Sequence, residues 1–505
     1  MSEAATHSTA TSPGPQPAAP PTPGLLTSLE PLLREWLPRQ RWFAGKGRPV
    51  AGFSLVAATE LLPVGGRPDD SRSGGAKAGL LHLLVRAHQP LVPSQGAPVQ
   101  PGDCYQLLLG VRETLPPHLA PALIGHVTDG PLAGRTVYEA LHDPRLADVL
   151  LEALRTQARI GDLRCARDTR LALPEGLVPR LVTSEQSNSS VVYGDTFILK
   201  LFRRVVPGAN PDLELPLTLS RAQCPRVPAP AAWMTADLGP ATGGGGADPE
   251  THVLGVLQPY LKGAADGWEL ALSMLAKGED FTGEARALGR ATAEVHAALA
   301  EALPTVTLGR PQVESLVDGM TERLEAAAQA VPALRPYASG LRTAFDALAD
   351  LAAEGHTWTA QRIHGDLHLG QCLRSPIEVD ARHSGGGEWS LIDFEGEPSK
   401  PLAERRMPQP VARDVAGMLR SFDYAAHSLR PPAADWASVC RAAYCSGYAD
   451  VSGADPRTDP VLLRAYETDK AVYEVVYEAR HRPDWLSVPM AAIHRLATDT
   501  GPATT

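Results

Sequence analysis

Residues 363–371 read Ile-His-Gly-Asp-Leu-His-Leu-Gly-Gln, and residues 391–396 read Leu-Ile-Asp-Phe-Glu-Gly. In both stretches an aspartate follows a short apolar, strand-like run, and glycine punctuates the loop. An Asp at the start of such a loop can accept a hydrogen bond from a hydroxyl nucleophile. Five residues on, Gln371 offers an amide oxygen, and Asp393 offers a carboxylate. Both are hard donors suited to Mg²⁺. Phosphoryl transfer needs a bridging metal, a positioned hydroxyl and a lysine on the phosphates. Taken singly, a loop Asp is usually a turn or cap residue, and Gln371 would be a surface residue. The combination, with Asp-Phe-Glu placed after a second strand, points to a phosphotransferase site. His364 and His368 lie four apart, as in a zinc-protease helix. Gly365-Asp366 between them argues against a helix, however, and no Glu follows the first histidine.

Outward from these loops, the chain is helical from about residue 268. Ala285, Leu288, Thr292, Val295 and Leu299 mark one helix face, and Ala/Leu-rich segments follow at 313–329 and 338–354. Two short strands, around Gln361–Ile363 and Trp389–Ile392, interrupt the helices. The first half is β-rich. Apolar runs at 53–62, 79–87 and 104–112 read as strands, after a helix marked by Leu29, Leu32, Leu33, Trp36 and Leu37 that Pro38 ends. Residues 145–159 read as a helix. Val191-Val192-Tyr193 and Phe197-Ile198-Leu199 flank Gly194-Asp195, a two-residue turn closed by Thr196, with Lys200 at the end of the second strand. Val253–Leu257 reads as another strand. The pattern predicts two lobes with a cleft between them. The expected organisation is a disordered tail at 1–24, a cap domain at 25–130, an N-lobe at 131–260 and a helical C-lobe at 261–505.

The 505 residues include 45 glycines and 47 prolines, an excess that falls mainly in the tail and in loops at 64–79, 236–250 and 375–388. Hydrophobic residues make up 44 %, enough for a large core built from Ala, Leu and Val. This excludes a wholly disordered chain, a collagen and a small disulfide scaffold. The net charge of −10 argues against nucleic acid or an anionic membrane as partner. Residues 41–48, Arg-Trp-Phe-Ala-Gly-Lys-Gly-Arg, are too short a basic patch to reverse that. The six cysteines are mostly far apart, with no signal peptide and no 18-residue apolar run, so a reducing cytoplasm is expected. No GxxxxGK[ST] occurs, which excludes a Walker-type NTPase.

These motifs resemble the aminoglycoside-phosphotransferase and protein-kinase-like superfamily. Within it, H-G-D-L-H-x-G-Q and I-D-F-E-G-E-P resemble the actinobacterial maltokinases and their glucosamine-kinase relatives. The loop amide is Gln371 where the superfamily commonly has Asn, and the metal motif reads D-F-E. Further segments carry the likeness: 41–48, Ser-Glu-Gln-Ser-Asn-Ser-Ser at 184–190, Asp-Gly-Trp-Glu-Leu-Ala at 266–271, and the stretches 413–425 and 473–485. The resemblance implies an α+β, bilobal protein-kinase-like fold with an N-terminal β-rich cap and a mostly α-helical C-terminal lobe. It implies transfer of the ATP γ-phosphate to the anomeric hydroxyl of maltose, with Mg²⁺, to give maltose 1-phosphate for α-glucan synthesis. A kinase for another sugar or amino sugar such as glucosamine stays open, as do a pseudokinase, a complex with trehalose synthase, and a monomer or small homo-oligomer.

The roles the resemblance implies follow residue by residue. Asp366 is the catalytic Asp, and Gln371 and Asp393 are the metal ligands. Lys200 meets the α/β-phosphates, and Gln186, Ser187, Asn188 and Ser189 stand in place of a glycine-rich loop. Glu214 is the partner of Lys200, in a helix begun by Asn210-Pro211. Pro216 should shorten or distort that helix. Gln258 and Tyr260 form the hinge facing adenine. His368, Lys470, Tyr473, Glu474 and Tyr477 face the sugar, the last four on the polar side of a helix over 466–480. Arg405 and Arg406 either anchor substrate or pair with neighbouring acids. Asp414 braces the Asp366 loop, and an ammonium substrate would want an extra carboxylate near the acceptor hydroxyl.

Overall fold

Leu25, Leu29 and Leu33 lie one turn apart, and the helix Leu25–Trp36 buries all three against a sheet. This computed structural model describes residues 23–64, 78–89, 102–183, 187–238, 250–376, 388–397 and 400–498. The expected tail and the three glycine-rich loops lie almost wholly outside these residues, and Gln186 lies outside them. The chain divides into two compact units, residues 1–209 with 230–260, and residues 210–229 with 261–505.

The first unit holds two antiparallel sheets. The first comprises β1 (Gly52–Leu62), β2 (Gly79–His88), β3 (Cys104–Arg112), β4 (Leu123–His126) and β5 (Thr136–Glu139), in the order β1-β2-β3-β5-β4. Strands β2 and β3 are buried almost throughout because both of their faces are covered. Leu81, Leu83 and Leu107 pack with the first helix, while Leu80, Leu84 and Leu108 join the core shared with the second sheet. The expected cap boundary at 130 falls inside this sheet, since β5 pairs with β3.

The second sheet comprises β6 (Arg159–Ile160), β7 (Leu163–Arg167), β8 (Pro179–Val182), β9 (Asn188–Tyr193), β10 (Phe197–Phe202), β12 (Ala232–Leu238) and β13 (Glu250–Pro259), in the order β6-β7-β12-β13-β10-β9-β8. Gly194 (φ 54°) and Asp195 (φ 52°) turn β9 into β10 in the left-handed region. The short strand β11 (Arg204–Val205) crosses over to pair with β3. Buried polar side chains reinforce that junction. Gln106 Nε2 donates to the carbonyls of Phe202 and Leu254 (both 2.9 Å), and Arg203 pairs with Glu139 at 3.0 Å.

The second unit is helical. Helix Pro211–Arg221 belongs to it, although its place in the chain suggested the N-lobe. Pro216 neither ends nor shortens this helix, which runs 11 residues. The helices Thr282–Ala302 and Ala434–Ser452 cross with almost no space between their backbones. A Cβ on Gly289 would collide with the Tyr444 carbonyl, and one on Gly447 with that of Arg286. The helices Arg310–Ala330, Ala338–Ala353, Ala412–Ala426 and Pro460–His481 complete the frame of the site. The strand expected at 361–363 lies slightly earlier, at Trp358–Ala360, and Gln361 makes only a bridge to Gln409. The strand Trp389–Leu391 pairs with Cys372–Arg374, which brings the two Asp-bearing loops side by side.

Candidate active site

Asp414, one per cent exposed in the helix Ala412–Ala426, fixes the Asp366 loop. Its two carboxylate oxygens accept the N–H groups of His364 and Gly365, both at 2.8 Å, and His296 Nε2 lies 3.0 Å away. Burial works against the Asp414 charge, but His296 and the backbone donors outweigh it and hold the carboxyl below the usual range. His364 ties this loop to the second one. Its Nε2 donates to the Ile392 carbonyl (2.9 Å), so its Nδ1 is the acceptor for the Asp366 N–H (3.4 Å).

Lys470, from the helix Pro460–His481, reaches Asp366 Oδ1 at 2.9 Å. Burial alone would raise the Asp366 carboxyl. Lys470 overcomes that and holds it at about 2. Asp366 in turn keeps Lys470 charged against its own burial. His368 is half-buried, and its Nδ1 accepts the Gly370 N–H (3.1 Å), capping the turn Leu369–Gln371. Burial lowers its pKa, which favours the neutral ring.

Gln371 and Asp393 come together, since Gln371 Nε2 donates to Asp393 Oδ2 at 2.8 Å. The next N–H, that of Phe394, donates to Asp212 Oδ1 at 2.7 Å. Carboxylate oxygens of Asp212, Asp393 and Glu395 lie within 4.8 Å of one another. Three hard oxygen donors at that separation, beside the Gln371 amide, fit Mg²⁺ chemically. Asp212 and Glu395 were not foreseen as part of this group. Asp212 and Glu214 are both acids of one first turn, and their spacing of two puts them on opposite helix faces. Only the orientation of the helix decides which acid meets the Asp393 loop.

Glu214 turns the other way. Its oxygens accept from Arg362 (2.9 Å) and Arg406 (3.2 Å). Arg405 donates to the Glu395 carbonyl (2.9 Å). Glu474 is a correction to the expected sugar-facing set. It is buried, and Arg420, itself one per cent exposed, grips its Oε2 at 2.7 and 3.0 Å. The supposed polar face of that helix therefore packs against the helix Ala412–Ala426, and a buried ion pair reads in sequence like a solvated one. Tyr473 remains beside the loop, with the Lys470 ammonium 5.3 Å from its ring centre, and Tyr477 stacks on Tyr473 at 6.3 Å and is exposed.

In the first unit, Lys200 on β10 faces Ser190 on β9 and Val256 on β13. Asn188 Nδ2 donates to the Ser187 hydroxyl (3.3 Å), and Ser189 Oγ accepts from Arg203 (2.8 Å). Gln258 lies opposite Ile198. The Tyr260 N–H goes to the Thr196 carbonyl (2.8 Å), which withdraws this donor from a nucleotide base. A cavity of about 540 Å³ lies behind the Asp414 brace, lined by His296, Trp358, Tyr448 and Asp459 among others. Among the described residues no lysine or arginine lines it, a lining not suited to phosphates. No helix among the described residues is long and apolar enough to cross a membrane.

A maltokinase N-terminal cap domain model matches residues 36–143. A glucosamine kinase of Mycolicibacterium smegmatis is 31 % identical over 350 residues, which cover 64 % of this chain and 81 % of the relative. A glucosamine kinase of Streptacidiphilus jiangxiensis is 30 % identical over 337 residues, covering 61 % and 71 %. A solved glucosamine kinase in complex with glucosamine, ADP and inorganic phosphate shares the fold, with a TM-score of 0.61 at 23 % identity, over 94 % of this chain and 99 % of that one. Fold and site together define a kinase-like phosphotransferase. The chain belongs to the sugar-kinase family of these two glucosamine kinases, and it carries a maltokinase N-terminal cap domain.

Proposed function

We propose that this protein transfers the γ-phosphate of ATP to the anomeric hydroxyl of maltose, giving maltose 1-phosphate for α-glucan synthesis from trehalose. The observation that carries the acceptor class is the charge balance of the cleft beside Asp366. Glu397 is paired with Arg413 (2.9 Å) and Lys400 (4.0 Å), Asp469 with Arg323 (2.8 Å), and Asp366 with Lys470. All seven residues line one cleft, with Tyr473 at its edge. An ammonium sugar needs a carboxylate to spare, and here each of these carboxylates already meets a cation. An uncharged sugar, resting its hydroxyls on these groups and a ring face on Tyr473, suits that balance better.

In this reading the anomeric oxygen forms a bond to the γ-phosphorus as the bond to the β-phosphate oxygen breaks and ADP leaves. A carboxyl near 2 is a poor general base at neutral pH. Asp366 therefore serves chiefly to orient the acceptor hydroxyl through Oδ2 while Lys470 holds Oδ1, and the sugar proton passes to Oδ2 only late, once the forming bond to phosphorus has acidified it. A loose transition state asks for little more than positioning and charge neutralisation. Asp393 and Gln371 would hold Mg²⁺, which neutralises phosphate charge when bound. Lys200 and the Ser187–Ser189 segment would meet the nucleotide phosphates, with Gln258 and the Tyr260 carbonyl near the base.

A second reading, phosphorylation of glucosamine, is favoured by the activity both relatives are named for. A sugar panel with ATP and Mg²⁺, with ³¹P NMR of the products, separates the two. An anomeric phosphate on maltose supports the first. A phosphate on glucosamine with maltose inert overturns it.

A further inference from the structure

Asp393 has a left-handed backbone, with φ at 64°, a conformation that Asp adopts more readily than most L-residues but that still needs fixing for its carboxylate to be aimed. Two hydrogen bonds fix it there. The Gln371 amide holds its side chain at 2.8 Å, and the Asp212 carboxylate holds the peptide that follows, at Phe394 N, also closely (2.7 Å).

Asp212 is itself well fixed. Pro211 presets the first helical residue, the Asn210 side chain accepts the Asp212 N–H (2.9 Å), and the positive end of the helix favours a carboxylate. Its side chain is buried, seven per cent exposed. Glu214, two residues on, is committed to Arg362 and Arg406 and cannot take over this duty.

We infer that Asp212 is a positioning residue for the phosphotransfer site. By accepting the Phe394 N–H it locks the left-handed turn that aims the Asp393 carboxylate, without itself needing to bind the metal. This rests on the phosphotransferase reading for its purpose, but the lock can be tested apart from turnover.

The test compares full-length wild type, Asp212→Ala and Asp212→Asn. Mn²⁺ binding is followed by electron paramagnetic resonance with a non-hydrolysable ATP analogue, alongside kcat, sugar KM and thermal melting. Losing a hydrogen bond to a charged acceptor should weaken Mn²⁺ binding of Asp212→Ala by about 10- to 100-fold and lower kcat similarly, with sugar KM unchanged. Asp212→Asn keeps an acceptor oxygen and should recover to within about threefold of wild type. Folded Asp212→Ala that binds Mn²⁺ as wild type does would overturn the inference, as would Asp212→Asn impaired as deeply as Asp212→Ala. Should Asp212→Ala not fold, Asp212→Glu takes its place, since it keeps the charge and displaces the acceptor by one methylene. Weakened Mn²⁺ binding then supports the lock, and wild-type binding overturns it. A wild type that phosphorylates no sugar would sink the proposed function while the Mn²⁺ measurement still decided the role of Asp212.

Discussion

Asp366 is ionised because Lys470 is there, not because it is exposed. Burial pushes its carboxyl up, and the Lys470 ammonium at 2.9 Å pulls it down to about 2. In Lys470→Met the burial cost is left unopposed at that oxygen, so the carboxyl titrates at higher pH. The acid limb of the kcat profile should then move toward neutrality, with turnover at pH 5.5 falling further below turnover at pH 8 than in wild type. Profiles of identical shape would refute the coupling. Asp366→Ala should abolish turnover while leaving ATP affinity within a few-fold, checked by calorimetric titration; undiminished turnover would remove Asp366 from the mechanism. Arg420 shows the same logic in a structural role. Arg420→Met leaves Glu474 buried and unpaired, and should cost about 3–5 kcal/mol of stability in urea denaturation.

At the scale of elements, the helices Thr282–Ala302 and Ala434–Ser452 meet glycine against backbone. Their close crossing sets His296, on the first, against Asp414 and the Tyr448 hydroxyl (2.9 Å). Gly289→Ala should separate the two helices and cost about 2–3 kcal/mol, despite the better helix propensity of alanine. Equilibrium unfolding reads the loss, and a variant as stable as wild type would show that the crossing can give way freely. The hairpin of β9 and β10 was legible beforehand, because Gly194-Asp195 can satisfy two left-handed residues and few other pairs can. The sheet reaching past residue 130 was not legible. The pairing of β5 with β3 joins residues 24 to 30 apart, and its register depends on partners the local sequence does not name.

At the scale of the whole first unit, its two sheets share a buried polar joint sensitive to acid. Gln106 spends Nε2 on two carbonyls, so its Oε1 must accept, and His82 Nε2 must donate (2.8 Å). His82 Nδ1 is buried with no hydrogen-bond partner among the described residues, so a proton added there has nowhere among them to bond. Burial accordingly lowers the His82 pKa from 6.5 to about 4, partly offset by the Gln106 bond. A histidine depressed in the folded state lends stability that is present above pH 6.5 and is lost as pH falls toward 4. The share of this one group between pH 7 and pH 4.5 is about 2–3 kcal/mol. Hydrogen exchange of β2 and β3 amides, converted to opening free energies at both pH values, should show that loss, and His82→Leu should flatten it. An equal decline in the variant would place the acid sensitivity elsewhere.

Sequence alone determined what depends on neighbours along the chain. The strand at 104–112, the Gly194-Asp195 turn, the Asp-bearing loops at 363–371 and 391–396, and the likeness to sugar kinases are all local patterns of residue type and spacing. Tertiary structure decided which side of a helix meets which partner. Asp212 rather than Glu214 reaches the Asp393 loop, Glu474 is buried on Arg420 rather than offered to a sugar, and the helix Pro211–Arg221 packs with the second unit. The physical reason is the same in each case. A charged residue reads alike in sequence whether water or a buried ion of opposite charge solvates it, and only the packed partner tells the two apart.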